Sequence, residues 1–325
     1  MKKFLVLAIV CLMATPAAAI TVDGTLDGAY GSALAVQTVE TQFGDNMDPG
    51  GFSNEGELDA GYAAVDGGRL FVMLTGNVGQ NFNKLSVFID SQAGGENVLD
   101  GSLTYDFGDV GANFDGLTFD SGFEADYHIF GRWGGGAFEV DVVDRAASTP
   151  GAELGNSGAA SVGAGTGIQS GTVMAGGTAT TGADAGTFLT QDVDFGFNNT
   201  NIAGVVGGTG AADPVAAAAV TTGFEFSIAL ADIGSPSIGD TIKIHAAYGN
   251  GDNNFHSNQT LGGLPAGTAN LGGDGGGGFT GTLSGIDFNQ FAGDQFFSIT
   301  IVPEPATLLM AGLASVGMLC ARRRS

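Results

Sequence analysis

LDAGYAAVDGGRLFVMLT, residues 58–75, is the stretch that sets the fold class. Two runs rich in apolar, β-branched and aromatic side chains, 58–65 and 69–75, flank Asp66-Gly67-Gly68, a turn that needs the positive φ which glycine supplies at no steric cost. This is the pattern of a β-hairpin. Working outward, residues 84–90 (KLSVFID) alternate Leu85, Val87 and Ile89 against Ser86 and Phe88, the period of two expected of a strand near the centre of a sheet. Residues 123–130 and 137–143 make another pair across Gly-Arg-Trp-Gly-Gly-Gly, and 223–229, 241–248 and 296–301 follow. Helical signals are confined to single turns near 27–33 and 230–233. Short strands at this spacing, separated by Gly, Asn and Asp, predict an all-β chain: a single jelly-roll-like β-sandwich with Gly-rich loops. Glycine, 58 of 325 residues, has no collagen period and accompanies 23 Phe, so it reads as loops between strands. The exception is 146–186, almost wholly Gly, Ala, Ser and Thr, which reads either as a flexible insertion or as a set of weak surface strands.

Both ends of the chain read as processing segments. Residues 1–19 carry Lys2 and Lys3, an apolar run over 4–13, then Pro16 and Ala17-Ala18-Ala19. That is a Sec-type signal peptide, passed by the Sec translocon and cut by signal peptidase after Ala19. At the other end stand Pro303-Glu304-Pro305, an apolar run over 306–320, and Arg322, Arg323 and Arg324. The prolines stop a preceding strand because neither can donate to a ladder. The run of about fifteen residues is short of the ~20 that span a bilayer comfortably, yet long enough for a thin transmembrane helix. The arginines hold the end on the cytoplasmic side. Residues 302–325 thereby resemble the PEP-CTERM sorting signal of Gram-negative bacteria. The resemblance implies a precursor anchored in the inner membrane, recognised by an exosortase-type membrane peptidase, cut near the Pro-Glu-Pro motif and released to the cell envelope or an exopolysaccharide matrix. Three segments result: 1–19, a secreted sandwich over 20–301, and 302–325. Both cysteines, Cys11 and Cys320, lie in the end segments, so the sandwich can hold neither a disulfide nor a cysteine metal cluster.

Three fragments of the middle segment, 22–30 (VDGTLDGAY), 87–91 (VFIDS) and 224–234 followed by Gly239-Asp240, resemble family 9 carbohydrate-binding and DOMON-like domains. The resemblance implies a β-sandwich and, in sugar-binding members, stacking on aromatic side chains. Tyr30 stands where that family often has Trp, and the single Trp of this chain is Trp133.

Charge narrows the partners. The chain has 34 acidic and 10 basic residues, a formal net charge of −24. All the acids but Glu304 fall between the end segments, where the only basic residues are Arg69, Lys84, Arg132, Arg145 and Lys243. Nucleic acid is excluded as a partner, since phosphate binding needs a positive footprint. The composition suits a hydrated matrix, high salt or divalent cations, and equally plain solubility through self-repulsion.

Candidate chemistry is sparse. Hard cations need six to eight oxygen ligands on turns, and Asp45, Asn46 and Asp48 with Glu55, Glu57 and Asp59 offer a set for one structural Ca²⁺, with Asp252-Asn253-Asn254 a second possibility. Neither follows EF-hand spacing, and residues 271–279 (LGGDGGGGF) carry the glycine-rich calcium pattern only once and out of register. For a sugar ring, an exposed aromatic face beside polar groups is required. Trp133 with Arg132, and Tyr248 with Asn250, Asp252 and Asn253, are the candidates. The histidines His128, His245 and His256 form no HExxH helix, and the first two, on predicted strands, are expected at a surface or a satisfied polar site. There is no GxSxG elbow, and the Gly163-x-Gly165-x-Gly167 run reads as a loop. The chain is expected not to be an enzyme: an exported envelope or exopolysaccharide-matrix protein with a structural or adhesive role comes first, a carbohydrate-binding module second, and a polysaccharide-acting enzyme third.

Overall fold

The 58–75 hairpin is present and longer than the pattern predicts. Strands β2 (Gly56–Asp66) and β3 (Arg69–Val78) pair antiparallel with Asp66 opposite Arg69, so the loop is the two residues Gly67-Gly68. Their φ values of +57° and +75° are those that a tight hairpin turn matched to strand twist requires. In the computed structural model, residues 19–44, 56–101, 111–146, 157–163, 167–176 and 188–303 are described. Around the hairpin lie β1 (Ala35–Val36), β4 (Lys84–Asp90), β5 (Tyr127–Gly134), β6 (Ala137–Asp144), β7 (Ser157–Gly163), β8 (Ile168–Val173) and β9 (Val193–Asn198). They are followed by β10 (Gly223–Ala229), β11 (Thr241–Gly249), β12 (His256–Thr260) and β13 (Phe297–Thr300). One short helix, α1 (Pro214–Ala218), starts where Asp213 accepts from Val215 N and Ala216 N ahead of a proline at the first helical position.

The strands make two antiparallel sheets. One has six strands in the order β1-β2-β3-β10-β9-β8; the other has seven, β12-β11-β4-β5-β6-β7, with β13 also on β11. The expected all-β sandwich is the fold. Alternation places Leu70, Val72, Leu74, Phe224, Phe226, Ile228, Phe195 and Phe197 of the first sheet against Leu85, Val87, Ile89, Ile129, Val140 and Ile244 of the second. Residues 146–186 contribute two edge strands, β7 on β6 and β8 on β9, so the strand reading holds for those parts. The expected signal helix, at 1–19, and the C-terminal transmembrane helix lie outside the described residues, but for Ala19 and residues 302 and 303. Among the described residues no helix is long and apolar enough to cross a membrane.

A second apolar cluster covers the far side of the seven-stranded sheet. Phe114, Leu117, Phe119, Phe123, Leu283, Ile286 and Phe288 come from loops and 3-10 turns and pack on Phe88, Phe130 and Val143. The sheet is therefore buried on both faces, which sets the surroundings of every polar residue it carries.

Candidate functional site

The C-terminal exit is built by β11 and β13. Thr241 stands opposite Thr300, and the chain is then pinned at Ile301, whose N–H donates to Asp240 O and whose carbonyl accepts from Gly239 N, both at 2.9 Å. Val302 and Pro303 follow. Glu304, Pro305, Arg322, Arg323 and Arg324 lie outside the described residues. At the other end Ala19 is exposed, and the segment after it is tied down by one carboxylate: Glu225 Oε2 accepts from Asp23 N and Gly24 N at 2.9 and 3.0 Å, and Oε1 accepts from Tyr30 OH at 2.7 Å. Burial pushes the Glu225 carboxyl up to about 7 despite these donors. Gly24 and Gly196 have no substitute here, since a Cβ on Gly196 would lie 2.4 Å from the Gly24 nitrogen. Tyr30 thus serves as a strut.

The two aromatic platforms expected for a sugar ring are both in the core. Strand β5 runs on through Arg132, Trp133 and Gly134, and the turn is only Gly135-Gly136, so Trp133 points between the sheets, fully buried, edge-on to Phe197 at 5.6 Å. Tyr248 is buried on β11 and donates its hydroxyl to Asn77 O. Neither ring offers a face to solvent, which removes the stacking role read from sequence. Arg132 pairs with Glu139 at 2.5 Å. Asn250 staples its own turn, accepting from Asn254 N and Phe255 N at 2.9 and 3.1 Å, and Asn253 is buried with φ at 47°. Asp252 is exposed and its carbonyl accepts from Asn113 Nδ2.

Of the acids offered for Ca²⁺, Glu57 and Asp59 are buried on β2. Asn201 Nδ2 donates to Glu57 Oε1 at 2.9 Å and to Asp59 Oδ2 at 3.3 Å, and Val205 N donates to Asp59 Oδ1 at 2.7 Å. Asp45, Asn46, Asp48 and Glu55 lie outside the described residues. Among the described residues no group of three or more His, Cys, Asp or Glu is arranged to hold a metal ion. Asp274 of the LGGDGGGGF run accepts from Gly276 N and Gly278 N, both 2.8 Å, and these bonds hold its carboxyl below the usual range.

Of the two places expected for His128 and His245, the surface is ruled out by burial, and His245 takes a satisfied polar site, its Nδ1 2.7 Å from Gln295 O. The faces of β5, β11 and β12 that carry His128, His245 and His256 are covered by the aromatic loops, and all three are buried. His128 stacks on Phe88 at 4.0 Å, and His245 and His256 sit beside Phe288 at 4.9 and 5.6 Å. Burial holds all three rings neutral, pushing His245 down to about 3 and His256 down to about 4. Lys84 is also buried. Its Nζ finds no hydrogen-bond partner among the described residues and lies 5.1 Å from the centre of the Phe130 ring.

An open depression not anticipated from the sequence is a trough of about 600 Å³ on the outer face of the six-stranded sheet. Phe71, Thr172, Asp194, Ser227, Arg69 and residues 20–22 are among those that line it. Arg69 is fixed: Nη2 donates to Ser227 O at 2.9 Å and Asp192 O at 2.7 Å, while Thr172 Oγ1 donates to Asp194 Oδ1 at 3.0 Å. A flat ring edge beside a guanidinium, a carboxylate and hydroxyls can hold a small polyhydroxylated surface.

Residues 302–324 match the PEP-CTERM protein-sorting motif. No curated protein and no solved structure matches the chain. The motif marks an exported protein that travels the secretory route, is held by a C-terminal membrane-anchoring tail, and is processed by an exosortase-type membrane protein.

Proposed function

We propose that the protein is a non-catalytic component of the cell envelope or exopolysaccharide matrix, delivered there by its sorting tail and serving a structural or adhesive role. The observation that carries this reading is the sorting motif set directly against the last strand, so that the sandwich is the cargo and the tail its address. The state of the reactive groups supports it. The three histidines and Lys84 are buried, and Glu225 and Asp274 are spent on backbone donors. The test is fractionation and intact mass of the protein expressed in its own host, wild type against Pro303→Ala/Glu304→Ala/Pro305→Ala. Wild type should be recovered outside the inner membrane, in the matrix fraction, lacking roughly its first 19 and last 20 residues; the triple variant should stay in the membrane uncut. Wild type free in the spent medium rather than with the matrix would sink the structural role.

A second reading is favoured by the trough alone: carbohydrate binding on Arg69, Phe71 and Asp194 in place of Trp133 and Tyr248. Glycan-array binding that Arg69→Ala and Phe71→Ala abolish would establish it, and binding unaffected by either would dismiss that site.

A further inference from the structure

The tail leaves the sandwich on almost no tether. Ile301 is bonded through both its N–H and its carbonyl, and the loop it is bonded to is itself stapled: Ser237 N donates to Asp240 Oδ2 at 2.7 Å, Asp240 N to Ser237 O at 2.9 Å, and Ser235 N to Leu230 O at 2.8 Å. One residue outside the Gly239–Ile301 bond stand Ile238 and Val302, 64% and 69% exposed. Across residues 234–240 and 301–303 the only charged side chain is Asp240, and it is turned to Ser237 N. A rigid corner with two protruding apolar side chains is thus placed where the tail departs.

The reach of the chain decides what that corner meets. From Ile301 to Ala306, the first residue of the apolar run, the chain can extend at most roughly 18 Å. A headgroup layer takes up roughly 5–8 Å of that. With the apolar run inserted, the corner therefore lies within about 13 Å of the lipid surface. Elsewhere the acidic body is repelled by anionic headgroups, which disfavours lying flat.

We propose that in the membrane-held precursor this corner rests on the lipid surface, with Ile238 and Val302 entering the interfacial layer and giving the sandwich one fixed orientation. The sorting peptidase then meets its motif beside a seated body. The inference rests on the tail being membrane-inserted, which flotation reports separately.

The test uses the membrane-held precursor after removal of residues 1–19, which takes Cys11 with them, and with Cys320→Ser, in vesicles of phosphatidylethanolamine with a minor share of phosphatidylglycerol. A polarity-sensitive fluorophore is attached at Ile238→Cys, at Val302→Cys, or at Gln80→Cys, an exposed site in the β3–β4 loop at the other end of the sandwich. Labels at 238 and 302 should be blue-shifted and about threefold less quenched by aqueous iodide than the label at 80. A 30-residue Gly/Ser spacer inserted between Val302 and Pro303, averaging ~30 Å end to end, should remove that protection. Equal quenching at 238, 302 and 80, or protection that survives the spacer, overturns the proposal. A precursor that does not float with the vesicles overturns it together with the anchoring role of the tail.

Discussion

Lys84 is a buried cation in the sandwich, and its charge is costly there. It opens β4 opposite Arg132 of β5 and Gly249 of β11, where an ammonium loses its hydration and gains the face of Phe130 and the attraction of Asp252, Asp141 and Glu139, with no hydrogen bond among the described residues. Burial, reinforced by the Arg132 guanidinium, pushes it down to about 7 from an ordinary value of 10.5. The folded state therefore binds this proton less well than the unfolded chain, so wild-type stability rises between pH 7 and 10.5, and below pH 7 the full penalty is present. Lys84→Met keeps the stem and removes the charge. It should raise unfolding free energy by roughly 1–3 kcal/mol at pH 6, as replacement of a buried charge by an apolar isostere commonly does. The gain should shrink when the urea titration is repeated at pH 9. A variant less stable than wild type at both values would show that the ammonium is stabilising where it stands. Nothing in KLSVFID signals this burial, because a lysine at a strand end ordinarily reaches water. It is covered by loops whose apolar residues, Phe114, Leu117 and Phe119 among them, follow no period.

At the scale of elements, two hairpins of the sandwich, β2–β3 and β5–β6, turn on glycine pairs. Gly67-Gly68 and Gly135-Gly136 each carry two positive φ values, and nothing lies within 4 Å of a Cβ built on Gly67 or Gly68. Any cost of substitution at those two is therefore conformational. Gly68→Val should destabilise by about 1–2 kcal/mol, the penalty of left-handed backbone for an L-residue with a branched side chain. Gly67→Asn should stay within about 0.5 kcal/mol of wild type, since Asn tolerates this conformation. Equal losses for both in chemical denaturation would mean that the turn is not formed as described. These turns also separate what was legible in the sequence from what was not. The spans 84–90 and 223–229 are read to the residue, because one face of each alternates cleanly into the core. The glycines around Trp133 conceal the continuing alternation Ile129, Gly131, Trp133, so a core tryptophan reads as a loop platform. β12, His-Ser-Asn-Gln-Thr, has no apolar residue and yet is wholly buried, because Asn258 Nδ2 donates to Glu40 O and Thr268 O and thereby ties three segments together. The trough joins residues 71, 172, 194 and 227, which meet only through the β3-β10-β9-β8 order, and that order is a property of tertiary pairing.

For the molecule as a whole, the dominant long-range term is its own charge. With 34 acidic against 10 basic residues, the compact state concentrates negative charge that the unfolded chain disperses. Few pairs offset it: among the described residues the ion pairs are Arg132–Glu139, Arg145–Glu96 and Lys243–Asp90. Screening should then stabilise the fold. The Debye length falls from about 30 Å at 0.01 M salt to below 8 Å at 0.5 M, shorter than the distance across one sheet. The melting temperature should accordingly rise by a few degrees over that range of NaCl, in proportion to the repulsion removed. A flat or falling profile would mean that the three ion pairs outweigh the net charge. Calcium at matched ionic strength separates screening from a bound ion. Glu57 and Asp59 accept from Asn201 and Val205, so CaCl₂ and MgCl₂ should follow the NaCl curve once ionic strength is equalised. A saturating rise specific to Ca²⁺ would instead indicate a site, with Asp45, Asn46, Asp48 and Glu55 the first residues to substitute. An acidic sandwich stabilised by screening is suited to an exported protein, whose stability then follows the ionic strength of its surroundings.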